Sequence, residues 1–190
     1  LFPNAFVIPM TPMITITQWH VPVDDVNTYW YAIFTSYDAP LDKEEMRRQR
    51  LEAVTLPDYR ARRNRDNDYG FDADEQATET YTGMGHDINV HDQWAVESLG
   101  RIQDRTREHL GESDKCIIAY RRQLKKALGQ TEAQERPFMV LDDASAETLE
   151  LPATIDIVVP AEGWNDHWRT AERQRRDKAS WRRSTSEGVN

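Results

Sequence analysis

The beginning of the chain alternates apolar and polar positions in a pattern typical of β-strands. Residues 2–10 form an apolar run interrupted by Pro3 and Pro9, which predicts a short buried strand. Residues 13–23 (MITITQWHVPV) alternate as a half-exposed strand, and residues 27–36 (NTYWYAIFTS) follow the Asp24–Asp25 turn as its partner. Residues 1–36 are therefore predicted to supply the strands of an antiparallel sheet, with a hairpin as its clearest element.

A helical period replaces this alternation at two later places. The segment DKEEMRRQRLEAVT begins with Asp42 and Glu45 in a capping-box arrangement, which predicts a helix over residues 42–55. A second helix is predicted to start at Ser113 and to end at Gly129. Four apolar side chains recur on one face of this second helix, namely Ile117, Tyr120, Leu124 and Leu128. Cys116 lies beside that face and is interpreted as a small packing residue.

Residues 56–82 show almost no apolar period and are predicted to form a long loop. Loops of this length inside a compact domain are usually functional or disordered, and the spaced aromatic residues Tyr59, Tyr69 and Phe71 favour an ordered one. An arginine cluster in the loop could meet a carboxylate substrate or the neighbouring acids; it consists of Arg60, Arg62, Arg63 and Arg65. Residues 136–190 are predicted to form extended segments followed by a basic helical arm carrying Trp164, Trp168 and Trp181.

Composition narrows the class of protein. The 190 residues are 38% hydrophobic, which is enough for one domain with a real core. Acidic side chains outnumber basic ones by 33 to 24, and the net charge of -9 argues against a nucleic-acid binder. A single cysteine allows no internal disulfide, and no stretch is apolar enough for a membrane span. We therefore expect a cytoplasmic protein, and the missing initiator Met suggests a fragment of a larger one.

The segment from Gly83 to Gly100, GMGHDINVHDQWAVESLG, contains the candidate chemistry. It combines a flexible Gly-x-Gly, the histidines His86 and His91, and two acids ahead of an apolar-faced run. With residues 93–99 interpreted as a short helix, Asp92 falls at the N-cap. Its carboxylate would then either accept backbone N–H groups or point outward to bind a ligand, and the sequence alone leaves both open.

Two further groups have a structural and a functional interpretation. Five aromatic residues of the hairpin could line an aromatic-binding pocket or simply form the sheet core; they are Trp19, Tyr29, Trp30, Tyr31 and Phe34. His20 on the same hairpin is interpreted as a hydrogen-bonded residue at the edge of a pocket or core. Arg47, Arg48 and Arg50 alternate with glutamates on the first helix, which favours a solvated ion-pair face.

Taken in order, several of these segments resemble one known family. DINVHDQWAVESLGRIQDRTREHLGESDKCIIAYRRQLKKAL, the hairpin, RNRDNDYGFD, and TID-x-VVPA followed by Trp168 are similar to the large (alpha) subunit of Rieske non-haem iron ring-hydroxylating oxygenases. The similarity is to the phthalate 4,5-dioxygenase-like branch, in the C-terminal part of its catalytic domain. It implies an α+β helix-grip (START/Bet v 1-like) fold, with an antiparallel sheet around a long C-terminal helix and an incomplete N-terminus. Residues 83–129 would hold the iron-ligand segment and that helix.

The resemblance also implies the cofactors. In this family two histidines and one carboxylate hold a mononuclear Fe(II), and the carboxylate corresponds to Asp92. The two histidines would precede Leu1, as would the Rieske 2Fe–2S cluster, which needs two Cys and two His. Electrons would come from NADH through a separate flavin and iron–sulfur reductase, and the oligomer would be a homotrimer. A local alternative places the metal between His86, His91 and Asp92, although adjacent side chains at 91 and 92 diverge.

The implied activity is oxygen insertion into an aromatic carboxylate, most simply cis-dihydroxylation of a phthalate-like ring. Related enzymes act as monooxygenases that remove O-methyl groups from aryl ethers, which is the alternative within the enzyme class. A cofactor-free helix-grip module that binds a small molecule is the alternative from another class. This chain alone, with one carboxylate ligand, is expected to be inactive.

Overall fold

The computed structural model describes residues 2–147 and 154–183. Contacts divide the chain into two compact units, Leu1–Ala39 with Arg107–Asn190, and Pro40–Thr106. The strands and helices, in chain order, are β1 (Ala5–Thr11), β2 (Ile14–Pro22), β3 (Thr28–Ser36), α1 (Lys43–Glu52), β4 (Val54–Thr55), β5 (Arg60–Ala61), α2 (Ala73–Thr78), α3 (Ile88–Glu97), α4 (Lys115–Glu132), α5 (Asp143–Glu147), α6 (Trp164–Lys178) and α7 (Ser180–Arg183). This mixture of antiparallel strands and separate helices confirms the α+β class and is compatible with a helix-grip catalytic domain.

The first unit contains a three-stranded antiparallel sheet in the order β1-β2-β3. The predicted hairpin is confirmed, with Ile14 paired to Ser36 at one end and Pro22 to Thr28 at the other. Asp24 fixes its turn, because its Oδ1 accepts hydrogen bonds from the backbone N–H groups of Val26 at 2.8 Å and Asn27 at 2.7 Å. The hydrogen bonds of the Asp24 turn and the alternating pattern of the strands therefore both favour the observed pairing register of the hairpin.

Burial in the sheet differs from the prediction. Thr15 and Ile16 of the central strand are buried, whereas the β1 side chains Phe6, Ile8 and Met10 are exposed. The prediction that the strand of residues 2–10 is buried is thus wrong, since β1 is an outer strand that begins at Ala5 and carries Pro9 and three exposed apolar side chains. An edge strand offers its side chains fewer neighbours than a central strand does.

The helix predicted from Ser113 to Gly129 is α4, but its bounds are wrong at both ends. Residues 112–114 form a 3₁₀ turn, so α4 begins at Lys115. Gly129 lies inside the helix, which ends at Glu132 and is capped by Ala133. Cys116 is an exposed free thiol on this helix, and its interpretation as a packing residue is wrong. Among the described helices, including α4, none has the length and apolarity that a membrane span requires.

The C-terminal arm is helical, as predicted, and its contacts within the first unit are specific. Arg175 is almost fully buried and places its guanidinium 4.0 Å from the ring centroid of Tyr37. The same side chain donates hydrogen bonds to the carboxylate of Glu172 and to the Thr154 hydroxyl, the latter at 3.1 Å. Trp181 donates to the backbone oxygen of Ser36 at 2.9 Å. The contacts of Arg175 and Trp181 with Tyr37 and the hydrogen bond of Trp181 to Ser36 therefore attach the arm to the end of β3.

The second unit begins with α1, where Asp42 is the N-cap and accepts from the Glu45 N–H at 3.0 Å, as predicted. The predicted end at residue 55 is wrong, because α1 ends at Glu52 and Val54–Thr55 form β4. The predicted long loop at 56–82 contains more structure than expected. It includes β5, a 3₁₀ segment over Arg65–Gly70 and the short helix α2, whose N-cap is Asp72. Tyr69 is buried, so this part of the loop is ordered by an aromatic side chain.

Candidate functional site

Helix α3 carries the candidate ligand, and it starts five residues earlier than the sequence indicated. Asp87, and not Asp92, is its N-cap, because Asp87 Oδ1 accepts from the Asn89 backbone N–H at 3.1 Å. The Asn89 side-chain amide donates to the same oxygen at 2.9 Å. Asp92 is the fifth residue of the helix, where its carboxylate cannot reach the free N–H groups of the first turn. The capping interpretation of Asp92 is therefore wrong.

The inner face of α3 packs on the ordered loop before it. Val90 forms a buried cluster with Tyr69 and Met84. At the other end of the helix, the Tyr69 hydroxyl donates to Glu97 Oε2 at 2.6 Å, and Gln93 donates to Glu97 Oε1 at 3.0 Å. Both oxygens of this carboxylate are thus occupied by partners that belong to the same unit.

His91 is held by the segment that precedes the helix. Its Nε2 lies 2.9 Å from the backbone oxygen of Gly85 and 2.9 Å from the hydroxyl oxygen of Thr82. A carbonyl oxygen can only accept, so Nε2 carries the proton in this arrangement. The local alternative of His86, His91 and Asp92 is not supported, because no group of three or more His, Cys, Asp or Glu side chains among the described residues is arranged to hold a metal ion.

The loop from Gly83 to Gly85 is held in place rather than flexible, contrary to the prediction. Both glycines have positive φ, and a Cβ on Gly83 would lie 2.5 Å from the Asp72 backbone oxygen. Arg63 donates to the Met84 backbone oxygen, and the Gly85 N–H donates to Glu75 Oε1 at 2.6 Å. Glycine is therefore needed at Gly83, where a side chain would collide with the Asp72 backbone, and the positive φ angles favour glycine at both positions.

Glu75 is the acceptor at the centre of these loop contacts. The Thr80 hydroxyl donates to its Oε1 at 2.6 Å, and this bond is the main reason that the pKa of Glu75 is lowered. The Gly85 N–H and the positive charge of Arg63 act in the same direction. The ionised carboxylate thus links α2 to the loop that contacts His91.

Asp92 projects from the side of α3 opposite Val90. Its side chain is exposed, and no hydrogen bond or ion pair joins it to another residue in the described ranges. Ile88 and Val96 lie on the same side of the helix and are 58% and 69% exposed. One free carboxylate in an apolar stripe is unusual for a solvated helix face, which normally carries several polar residues.

The metal implied by the family resemblance fits this chain only in part. An oxygen ligand with no competing partner is suitable for one position of a facial triad. Within residues 2–147 and 154–183, however, no group of three or more His, Cys, Asp or Glu side chains is arranged to hold a metal ion. Asp92 can therefore act as one ligand, and the other ligands must come from elsewhere.

The arginine cluster of the loop is partly used by the fold itself. Arg63 donates to the Met84 backbone oxygen and Arg65 to that of Glu97. The backbone N–H of Arg62 donates to Ala53 at 3.0 Å, which joins the loop to the end of α1. A role for the cluster in binding a substrate carboxylate stays a prediction, and two of its four side chains already bind backbone oxygens.

The aromatic residues of the hairpin separate into two groups. Tyr29, Trp30 and Tyr31 are exposed, whereas Trp19 helps to line a cavity of about 320 Å³ together with Trp181. His20 is exposed, and its ring lies 5.3 Å from that of Phe6 and 5.7 Å from that of Trp30. The alternative that these residues form only a buried sheet core is wrong for the three exposed members.

Tyr69, Glu75 and Glu97 are the site residues that sequence reasoning missed. Tyr69 and Glu97 lie 28 positions apart, and no spacing rule connects them. The 3₁₀ segment that presents Tyr69 contains positive φ angles at Asp68 and Tyr69 itself. A non-glycine residue rarely adopts this conformation, so no sequence signal could have indicated it.

Comparison with known protein sequences identifies the family of this chain. A family model described as LigXa C-terminal domain like matches residues 1–187. The oxygenase subunit of phthalate 4,5-dioxygenase from Pseudomonas putida is 29% identical over 143 residues, which is 70% of this chain and 31% of that protein. The chain thus spans less than a third of the length of this curated relative. The chain belongs to the LigXa C-terminal-like family, which is the C-terminal part of the catalytic domain in the large subunit of Rieske-type ring-hydroxylating oxygenases.

Proposed function

We propose that this chain is part of an oxygenase subunit that hydroxylates an aromatic carboxylate, using O2 and electrons from NADH, and that Asp92 is the carboxylate ligand of its mononuclear Fe(II). The observation that carries the proposal is the free carboxylate of Asp92 in the exposed apolar stripe of α3. The name of the relative, a phthalate 4,5-dioxygenase subunit, supports cis-dihydroxylation of a phthalate-like ring as the reaction.

Asp92 would hold the metal together with two histidines from another part of the subunit. Bound in this way, Fe(II) supplies a centre with open positions where oxygen reacts beside the substrate. The residues of this chain contribute the negative charge of Asp92 and the apolar neighbours Ile88 and Val96 on the same side of α3. Both neighbours are exposed in this chain, so they would exclude water from the carboxylate, and so strengthen its attraction for a cation, only where another part of the subunit covers this face.

The remaining partners follow from the family. A Rieske 2Fe–2S cluster in the N-terminal part of the subunit would deliver electrons, and a separate flavin and iron–sulfur reductase would supply them from NADH. A homotrimer would bring each cluster close to an iron site in a neighbouring subunit. These partners lie outside the chain described here and belong to the proposal.

The test compares two aspartates of the same helix in the full-length subunit. Asp92→Asn removes the charged ligand, so we expect a folded enzyme with its normal cluster spectrum that has lost both mononuclear iron and oxidation of phthalate. Asp87→Asn is the matched control, because asparagine caps a helix about as well as aspartate. We expect the control to retain iron and turnover.

Normal iron content and turnover in the Asp92→Asn enzyme would overturn the assignment of the ligand. Product analysis of the wild type tests the reaction separately. A cis-diol product supports dioxygenation. A phenol and formaldehyde from a methoxylated substrate would instead show that the reaction is O-demethylation. A wild-type subunit without iron would instead support a cofactor-free binding module.

A further inference from the structure

The contact between His91 and the preceding loop helps to fix the rotation of α3 about its own axis, together with the bonds of Tyr69 and Arg65 to Glu97. His91 and Asp92 are neighbours in the helix, and their side chains leave the axis about 100° apart at 3.6 residues per turn. Any rotation of the helix therefore moves both side chains together. The hydrogen bonds of His91 to Gly85 and Thr82, each 2.9 Å long, oppose such a rotation.

The size of this effect is relevant to metal binding. An α-helix with its side chains has a radius of about 5–6 Å, so a rotation of roughly 10° would move the Asp92 carboxylate by about 1 Å. Metal–ligand distances tolerate changes of only about 0.2 Å. The packing of Val90 on Tyr69 and Met84 opposes rotation less sharply, because apolar contacts are not directional.

The acceptor of the His91 hydrogen bond is itself fixed. The Gly85 N–H donates to Glu75, and the Arg63 guanidinium donates to the neighbouring Met84 carbonyl. The Thr82 hydroxyl oxygen accepts from the Met84 N–H at 3.2 Å as well as contacting His91. His91 is thus bound to a rigid loop and not to a mobile one.

We infer that His91 is a positioning residue for the iron site, which acts through Thr82 and Gly85 to hold the Asp92 carboxylate in its coordinating direction. This inference rests on the proposed role of Asp92 as a ligand. We assign His91 no place among the ligands, because its side chain leaves the helix about 100° away from that of Asp92 and no group of three or more His, Cys, Asp or Glu side chains in the described part of the chain is arranged to hold a metal ion. Partners that orient a ligand in this way typically contribute about 10- to 100-fold to metal affinity.

The experiment measures Fe(II) affinity of the full-length subunit by competition with a chelator, together with the EPR spectrum of the nitric oxide complex of the mononuclear iron. His91→Ala is expected to weaken Fe(II) binding about 10-fold or more and to broaden the EPR signal. His91→Gln should restore most of the affinity, because a glutamine amide can donate at the position of Nε2. The Rieske spectrum and the melting temperature are recorded for every variant.

Two variants separate positioning from a general loss of stability. Thr82→Val keeps the volume of the side chain and the bond between His91 and Gly85, so we expect a smaller loss of affinity than in His91→Ala. His86→Ala is the matched control in the same loop, because His86 is exposed and makes no hydrogen bond to a described residue. It should leave affinity and spectrum unchanged.

The outcomes distinguish this inference from the proposed function. If Asp92→Asn loses iron but His91→Ala binds Fe(II) as tightly as the wild type, the positioning role is wrong and the ligand assignment stands. If Asp92→Asn keeps its iron, the ligand assignment fails, and the positioning role fails with it. Failure of His91→Gln to recover affinity, with a normal melting temperature, also overturns the inference.

Discussion

The hydroxyl of Tyr69 donates a 2.6 Å hydrogen bond to Glu97 Oε2 and so connects the ordered loop to the last turn of α3. Burial is the main reason that the pKa of Tyr69 is raised above its usual value of 10.0, and the bond to Glu97 acts in the same direction. Arg65 opposes both effects. The folded protein therefore holds the phenol proton more tightly than the unfolded chain does.

Tyr69→Phe tests this relationship. At neutral pH we expect the free energy of unfolding to fall by about 1–3 kcal/mol, because a hydrogen bond to a charged acceptor is lost. The contribution of Tyr69 is complete below pH 10.0 and disappears as the pH rises through the higher pKa of the folded state. The wild type should thus lose stability above pH 10.0 more steeply than the variant. Denaturant unfolding across this range checks the prediction, and parallel curves for the two proteins would contradict it.

A second prediction concerns the buried ion pair of the C-terminal arm. Glu172 and Arg175 have side chains that are 5% and 1% exposed, so Glu172→Gln leaves a buried cation without its counter-charge. Breaking such a pair typically costs about 3–5 kcal/mol. Glu44→Gln is the control, because the ion pair of Glu44 with Arg47 at 3.3 Å is exposed and contributes little. Thermal unfolding should show a large decrease for Glu172→Gln only, and equal stability of the two variants would refute the prediction.

The third prediction concerns the outer strand β3. Residues Thr28–Ser36 contain no charged residue and no proline, whereas β1, on the other side of the described sheet, contains Pro9 and an irregular register after it. Long apolar edge strands promote association. We therefore expect Ile33→Lys to reduce self-association of this chain, measured by light scattering, and Phe6→Lys on β1 to have less effect. Ile33 and Phe6 are similarly exposed, at 57% and 52%. Equal reductions of self-association by the two substitutions would therefore show that exposed apolar area, and not the free edge of β3, drives the association.

The sequence predicted those parts of the fold that depend on local interactions. The hairpin follows from alternation and from the Asp24 turn, and the start of α1 follows from a cap whose partner is three residues away. The start of α3 could not be assigned, because Asp87 and Asp92 both precede good helix positions and the sequence does not say which carboxylate folds back. When two residues are equally good helix caps by sequence, only the tertiary contacts around them determine which one caps the helix.

The site required information that no local pattern holds. The local pattern left Asp92 as either a helix cap or a ligand, and only the family resemblance implied the ligand role; its exposure beside apolar residues depends on the bounds of α3. The role of His91 depends on its bond to Gly85, six residues earlier across a loop with positive φ angles. Such contacts depend on the path of the backbone, which residue spacing does not determine.

Gly83 has a consequence for laboratory evolution of this chain. A side chain at this position would meet the Asp72 backbone oxygen, and backbone atoms cannot move aside as a flexible side chain can. Libraries that randomise the loop should therefore keep Gly83 constant and place their diversity at outward positions such as Tyr81, which is 97% exposed. Substitutions around α3 are thus tolerated unevenly, and most viable variants should differ only on the outer surface of the loop.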